Sequence, residues 1–114
     1  MADGNTWRAL HRFARISPRK ARLVIDTIRG RRASEALELL AFNRRRSARM
    51  IENVLKSAIA NADEQEADVR SLVVSEARID GGPTYPRWQP KDRGRAHPIL
   101  KRTSHIVIEV RERV

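Results

Sequence analysis

Two stretches decide the fold: VRSLVVSEARID at residues 69–80 and HIVIEVRERV at residues 105–114. Both alternate with the period of two that a half-buried strand requires. Val69, Ser71, Val73, Ser75, Ala77 and Ile79 share one face of the first, and Ile106, Ile108 and Val110 share one face of the second. Between them, residues 80–105 hold 4 of the chain's 5 prolines and 3 of its 5 glycines. Their apolar residues are only Tyr85, Trp88, Ala96, Ile99 and Leu100. A structureless loop of that length is uncommon inside a small domain. A hairpin extension accounts for it, with the turn at Asp92-Arg93 and Gly94 just after. Ile79 then faces Ile106, Ala77 faces Ile108 and Ser75 faces Val110, so both apolar sets fall on one face, as a register must arrange. A shift of the tip by one residue either way serves equally well.

At ~3.3 Å per residue, such an arm reaches roughly 40 Å past the core. It has almost no apolar surface to bury, and alone in water a two-stranded ribbon is marginal. It carries Arg87, Lys91, Arg93, Arg95, Lys101 and Arg102 against Asp80 and Asp92. Prolines such as Pro90 block ladder pairing and stiffen the chain. This composition suits an arm held by a polyanion. Tyr85 and Trp88 either stack on bases or pin the ribbon by cross-strand packing.

Upstream, Trp7, Ala9, His11 and Phe13 alternate with Arg8, Leu10 and Arg12 and predict a strand from Trp7 to Ile16. Ser17-Pro18 opens a helix, with Ser as N-cap and Pro at the first helical position. Ala21, Val24, Ile25 and Ile28 form its inner stripe, and Gly30 is expected to stop it. Arg15, Arg19, Lys20, Arg22 and Arg29 accompany that stripe, either as a solvated face or as a phosphate-contacting edge. Ser34 is expected to cap a short helix through Leu40, and Asn43 a longer one to about Ala62. The longer helix has Ala48, Ile51, Val54, Leu55, Ala58 and Ala62 inside. Arg44, Arg45 and Arg46, followed by Arg49, then fall at its start. That is the positive end of the helix dipole, where folding alone would favour Asp or Glu. An external anion explains the cluster better than accident does. Asp63, Glu64, Glu66 and Asp68 lack calcium-loop spacing and read as a polar connection.

The charge is lopsided along the chain. The 114 residues hold 24 Lys and Arg, 20 of them Arg, against 14 Asp and Glu, for a net charge of +10. Residues 1–49 carry a net +9, residues 50–80 a net −4 and residues 81–114 a net +5. Two basic regions flanking an acidic middle suggest one surface facing a polyanion and another facing solvent. The bias to Arg favours bidentate grip on phosphate and stacking on bases.

The length allows one domain. With no Cys there are no disulfides, no thiolate nucleophile and no cysteine-ligated zinc. No apolar run approaches the ~18 residues of a membrane span, so no membrane insertion is expected. His11, His97 and His105 lack metal spacing, and no phosphate-loop or nucleophile-elbow motif occurs. Neither a cofactor, a metal site nor a catalytic residue is expected. His105, at the foot of the ribbon, fits a structural or RNA-contacting role. A DNA-bending protein with a proline-tipped β-arm is the alternative that composition allows. In that class, however, the helices precede all the strands, whereas here a strand comes first.

The motifs resemble those of the bacterial and organellar large-subunit ribosomal protein family number twenty-two. The resemblance rests on Arg15-Ile16-Ser17-Pro18-Arg19-Lys20-Ala21-Arg22, Ile28-Arg29-Gly30, Ser57-Ala58-Ile59-Ala60-Asn61-Ala62 and Gly82-Pro83. It rests most specifically on Gly94-Arg95-Ala96 and Lys101-Arg102-Thr103-Ser104-His105-Ile106. Two departures stand out: Tyr85-Pro86-Arg87-Trp88, where the family more often has Lys-Arg between aliphatic residues, and Asp92, where a small residue is usual. The resemblance implies an α+β fold of three helices packed on a small antiparallel sheet. A long hairpin extension, at about residues 80–105 of a single domain spanning 1–114, completes it. It implies large-subunit (23S-type) rRNA as partner, with neighbouring ribosomal proteins, and a hairpin lining the exit tunnel beside the nascent peptide, in a region that affects macrolide action. No transit-like extension precedes the motifs, so a bacterial cytoplasm is expected.

Overall fold

The computed structural model describes residues 6–90 and 96–113. Strand β1 (Thr6–Ala14) comes first, followed by helices α1 (Pro18–Ile25), α2 (Ala33–Phe42) and α3 (Arg46–Glu64). A short 3₁₀ turn (Val69–Ser71) leads into the long strands β2 (Leu72–Pro90) and β3 (Ala96–Glu112). The sheet is antiparallel in the order β1-β3-β2. The three helices pack against it, as the α+β expectation requires.

The central strand needs no correction. Ile106, Ile108 and Val110 are fully buried, and they meet the inner stripes of the helices: Ala21, Val24 and Ile25 from α1, and Ala48, Ile51, Leu55, Ala58 and Ala62 from α3. Alanine at four of these helical positions lets the backbones approach the sheet closely. Trp7 is buried under α3, and its indole N–H donates to Gln65 Oε1 at 3.1 Å. Asn61 Nδ2 donates to the Arg8 carbonyl at 3.3 Å, seating α3 over β1.

β2 departs from strict alternation twice. Ile79 pairs with Ile106 and Ala77 with Ile108, as expected, but Val110 lies opposite Val74 rather than Ser75. A bulge between Val74 and Glu76 causes this. An extra residue there switches the inward set from Leu72 and Val74 to Ala77 and Ile79. Val69 and Ser71 belong to the 3₁₀ turn, not to the strand face. A second irregularity falls between Gly81 and Thr84. There a Cβ on Gly82 would run into Thr103 Oγ1, with the Thr103 backbone C and O only 3.3 Å away. Beyond it, pairing resumes from Thr84↔Arg102 to Pro90↔Ala96.

β1 ends two residues early. Trp7 and Ala9 face the core, but His11 and Phe13 are exposed, and the register breaks between His11 and Ala14. Phe13 adopts a left-handed φ of 58°, and Ala14 turns inward instead.

The helix caps divide. Ser17 caps α1 as expected, its side chain accepting from Lys20 N at 3.2 Å, with Pro18 in the first turn. Gly30 does not end that helix, which stops at Ile25. At φ 80° Gly30 turns the chain so that its N–H donates to the Val74 carbonyl at 3.0 Å. Arg32, not Ser34, stands at the N-cap of α2, because Arg32 pairs with Val73 in an isolated bridge and is held extended. Arg45, not Asn43, precedes α3. Asn43 closes α2, and its Oδ1 accepts from Arg45 N at 2.9 Å. Of the three-arginine run, only Arg46 therefore lies in the first turn of α3. The helix continues to Glu64, past the expected end at Ala62. Asp68 accepts from Arg70 N at 3.1 Å, so the acidic connection is partly a cap.

Candidate nucleic-acid interface

The expected basic side chains fall into two groups. Arg15, Arg19, Lys20, Arg44, Arg45, Arg46 and Arg102 are exposed, and among the described residues none forms an ion pair. Neither α1 nor α3 has an acidic residue in its first turn. All of these cations but Arg102, which lies on β3, are set at or beside positive helix ends, where they lack local compensation.

Arg22, Arg29 and Arg49 do internal work as well. Arg22 Nη2 donates to the Ile79 carbonyl at 3.0 Å, and the Arg29 guanidinium donates to the Ala77 carbonyl from Nε at 3.0 Å and Nη2 at 2.6 Å. Both satisfy the outer edge of β2, which would otherwise present unpaired carbonyls. Arg29 also pairs with Asp26 at 3.0 Å. Arg49 donates to the carbonyls of Leu40, Ala41 (3.4 Å) and Asn43 (2.8 Å), closing the C-terminus of α2.

The most specific motif sits at the root of the arm and ties it to three segments. Thr103 Oγ1 donates to the Pro83 carbonyl at 2.6 Å, and Ser104 Oγ donates to the Ile16 carbonyl at 2.6 Å. Phe13 N–H donates to His105 Nδ1 at 3.1 Å, and the two rings meet edge to face at 5.0 Å. That bond fixes the imidazole with its remaining proton on Nε2. It also meets Phe13 at the left-handed irregularity that breaks the β1 register before Ala14. His105 thus has a structural role, one of the two that its position in the sequence allows.

The arm itself is described by its register. Tyr85 stands opposite Lys101, Arg87 opposite Ile99, Trp88 opposite Pro98, and Pro90 opposite Ala96. The expected contacts of Lys91, Asp92, Arg93, Gly94 and Arg95 lie outside the described residues, as does the turn.

The helix-free face of the sheet holds two acids of the middle stretch, Glu76 and Asp80, together with Glu109. Arg8 pairs with Glu109 at 3.1 Å and with Glu76 at 3.5 Å, and Arg78 pairs with Asp80 at 3.1 Å and also with Glu76. Arg8 and Arg78 are thus paired on this face, unlike the exposed cations at the helix ends. One convergence went unseen in the sequence. Arg32, Arg70 and Arg113 line a shallow hollow of about 310 Å³ with Ser71 and Val73. They come from three separate segments, and spacing alone gives no signal for them.

Over 104 residues the chain is 52% identical to the large ribosomal subunit protein uL22 of Magnetococcus marinus, covering 90% of this chain and 92% of that protein. The family model for ribosomal protein L22p/L17e matches residues 9–111. Neither match supports the DNA-bending alternative. With three helices on an antiparallel sheet, a two-stranded arm leaving its root motif, and a match across nearly the whole length, the chain belongs to the ribosomal protein L22p/L17e family.

Proposed function

We propose that this chain binds large-subunit rRNA through the exposed basic residues between Arg15 and Arg46 and lays its β2–β3 arm along the peptide exit tunnel. There the arm borders the nascent peptide, while the globular part meets neighbouring ribosomal proteins. As a member of its family the chain is a structural constituent of the large ribosomal subunit, in a family of structural proteins rather than enzymes, and in bacteria that subunit works in the cytoplasm. No helix among the described residues is long and apolar enough to cross a membrane.

One observation supports the arm reading above the others. β3 pairs with β1 only as far as Ser104, whereas its pairing with β2 continues to Ala96. Beyond the root, the described ribbon has no third strand beside it. A ribbon of that kind is marginal alone in water. Phosphates and the walls of a tunnel would supply what the fold does not. One chain then holds together rRNA segments that its globular part and its arm reach separately.

Co-sedimentation with the large subunit through a sucrose gradient tests the assignment, and a salt series on protein-free large-subunit rRNA tests the mechanism. Six to ten phosphate contacts lower affinity by about 10³–10⁵ between 50 and 200 mM salt on the duplex scale. An affinity nearly independent of salt would sink the phosphate reading. Cross-links from the arm to rRNA outside the tunnel wall would sink the placement of the arm.

A further inference from the structure

The last residue of α2 is Phe42, which is 87% exposed, more than any other large apolar residue described. Such a ring does nothing for the core. Leu39, one turn back, is 38% exposed and extends the same apolar strip. The mount under Phe42 is firm. Arg49 reaches back from α3 to the carbonyls of Leu40, Ala41 and Asn43, and Asn43 Oδ1 accepts from Arg45 N at 2.9 Å. Immediately beyond stand Arg44, Arg45 and Arg46, exposed and without ion pairs among the described residues. Glu38 is also one turn back, but the three guanidinium groups leave the corner cationic.

An exposed aromatic ring beside unpaired arginines fits one kind of partner. A protein surface that covered Phe42 would have to desolvate or pair three cations, at a cost that one ring does not offset. RNA offers both complements at once: phosphates for the guanidinium groups, and the flat face of an unstacked base for the ring. We propose that Phe42 is a stacking platform for an unpaired base of large-subunit rRNA, aligned by phosphate contacts from Arg44, Arg45 and Arg46. The proposal rests on the rRNA-binding reading above and adds the class of contact made at this corner.

The test uses the full chain and protein-free large-subunit rRNA, with affinity measured over a salt series. Phe42→Ala should melt like the parent, since the ring is exposed, and should bind roughly 5- to 150-fold more weakly, the range for one lost base–aromatic stack. Its slope of log affinity against log salt should match the parent's. Arg45→Ala should instead flatten that slope by about 0.7 to 0.9. Phe42→Trp should retain affinity, and Phe42→Leu should fall with Ala. Parental affinity in Phe42→Leu would overturn stacking in favour of plain apolar contact. Unchanged affinity in Phe42→Ala would overturn the proposal outright, and if that variant also failed to enter subunits in cells, the ring's partner would be a neighbouring protein. Should the parent itself fail to bind this rRNA, the broader reading falls, which is a different result from a parent that binds and a Phe42 variant that binds equally well.

Discussion

β2 and β3 run as one pair through two different environments. At the base, Ile79↔Ile106 and Ala77↔Ile108 lie under the helices, with β1 completing the sheet on the far side of β3. In the arm, the same ladder continues from Thr84↔Arg102 to Pro90↔Ala96 with β1 no longer beside it. Backbone pairing is common to both halves, so it cannot be what distinguishes them. The base is held by buried apolar area, at about 1.5–3 kcal/mol for each large aliphatic side chain. The arm continues the pairing through Pro86, Pro90 and Pro98, which have no N–H to donate, and its sequence offers few apolar residues, so on the proposed reading a partner supplies the difference.

The strongest way to break this contrast is to remove apolar volume from the base. Ile106 is fully buried and pairs with both Ile79 and His11. Ile106→Ala should cost about 2–5 kcal/mol, the transfer term plus the cavity left behind. Urea unfolding of the purified protein measures it. A loss below about 1 kcal/mol would mean that the base is not held by its core.

The junction comes next. A Cβ at Gly82 collides with Thr103 Oγ1, the same atom that donates to the Pro83 carbonyl. Gly82→Ala should therefore destabilise by about 1–3 kcal/mol, the usual range for overpacking. Adding Thr103→Ala removes the obstructing atom. The double variant should recover part of the loss, and additive losses would show that the two residues do not meet.

That junction also marks the limit of what the sequence discloses. Ile106, Ile108 and Val110 alternate without interruption, and their face is legible directly. In β2, Leu72, Val73 and Val74 are consecutive apolar residues, so either face could be the buried one. The bulge at Ser75 is set by pairing with β3 and leaves no local sign. Arg32 and Arg45 are poor caps by intrinsic preference. Arg32 is placed by its bridge to Val73, and the start of α3 follows from Asn43 closing α2. The charge cluster at Arg44–Arg46 is legible because it opposes folding preference. That Arg22 and Arg29 meet β2 carbonyls is not, since those partners lie 57 and 48 residues away. For Phe42 the sequence holds only a weak sign, an aromatic residue two positions ahead of an arginine run.

A smaller effect on stability is expected at the basic corner. Arg46 alone lies in the first turn of α3, so the dipole gain of Arg44→Glu, Arg45→Glu and Arg46→Glu together is modest. The isolated protein should be unchanged or up to about 1 kcal/mol more stable. Binding to protein-free rRNA should weaken sharply, because three cations become three anions. A triple variant that unfolds readily would show that the cluster serves the fold.

The smallest effect on the fold should come from the largest deletion. Residues 86–90 pair with 96–100, and the stretch 86–100 holds Arg87, Lys91, Arg93 and Arg95. The register shows where to cut. Tyr85 stands opposite Lys101, so removing Pro86–Leu100 and joining these two through Asn-Gly keeps the last retained pair in step. Asn-Gly also suits the two-residue turn whose twist matches the strands. The lock at the root is untouched, because Thr103, Ser104 and His105 and their partners Pro83, Ile16 and Phe13 all remain. Stability should therefore change by less than about 1 kcal/mol, a shift in melting temperature of under roughly 4–8 °C. The basic surface between Arg15 and Arg46 also remains, so the shortened chain should still reach gradient-purified large subunits. What should change is the tunnel, read as the response to macrolides or to nascent chains that stall inside it. A variant that melts far below the parent would show that the arm supports the base, reversing the contrast between the two halves. A folded variant missing from subunits would assign the arm to assembly. Full incorporation with unaltered drug and stalling responses would remove the arm from the tunnel.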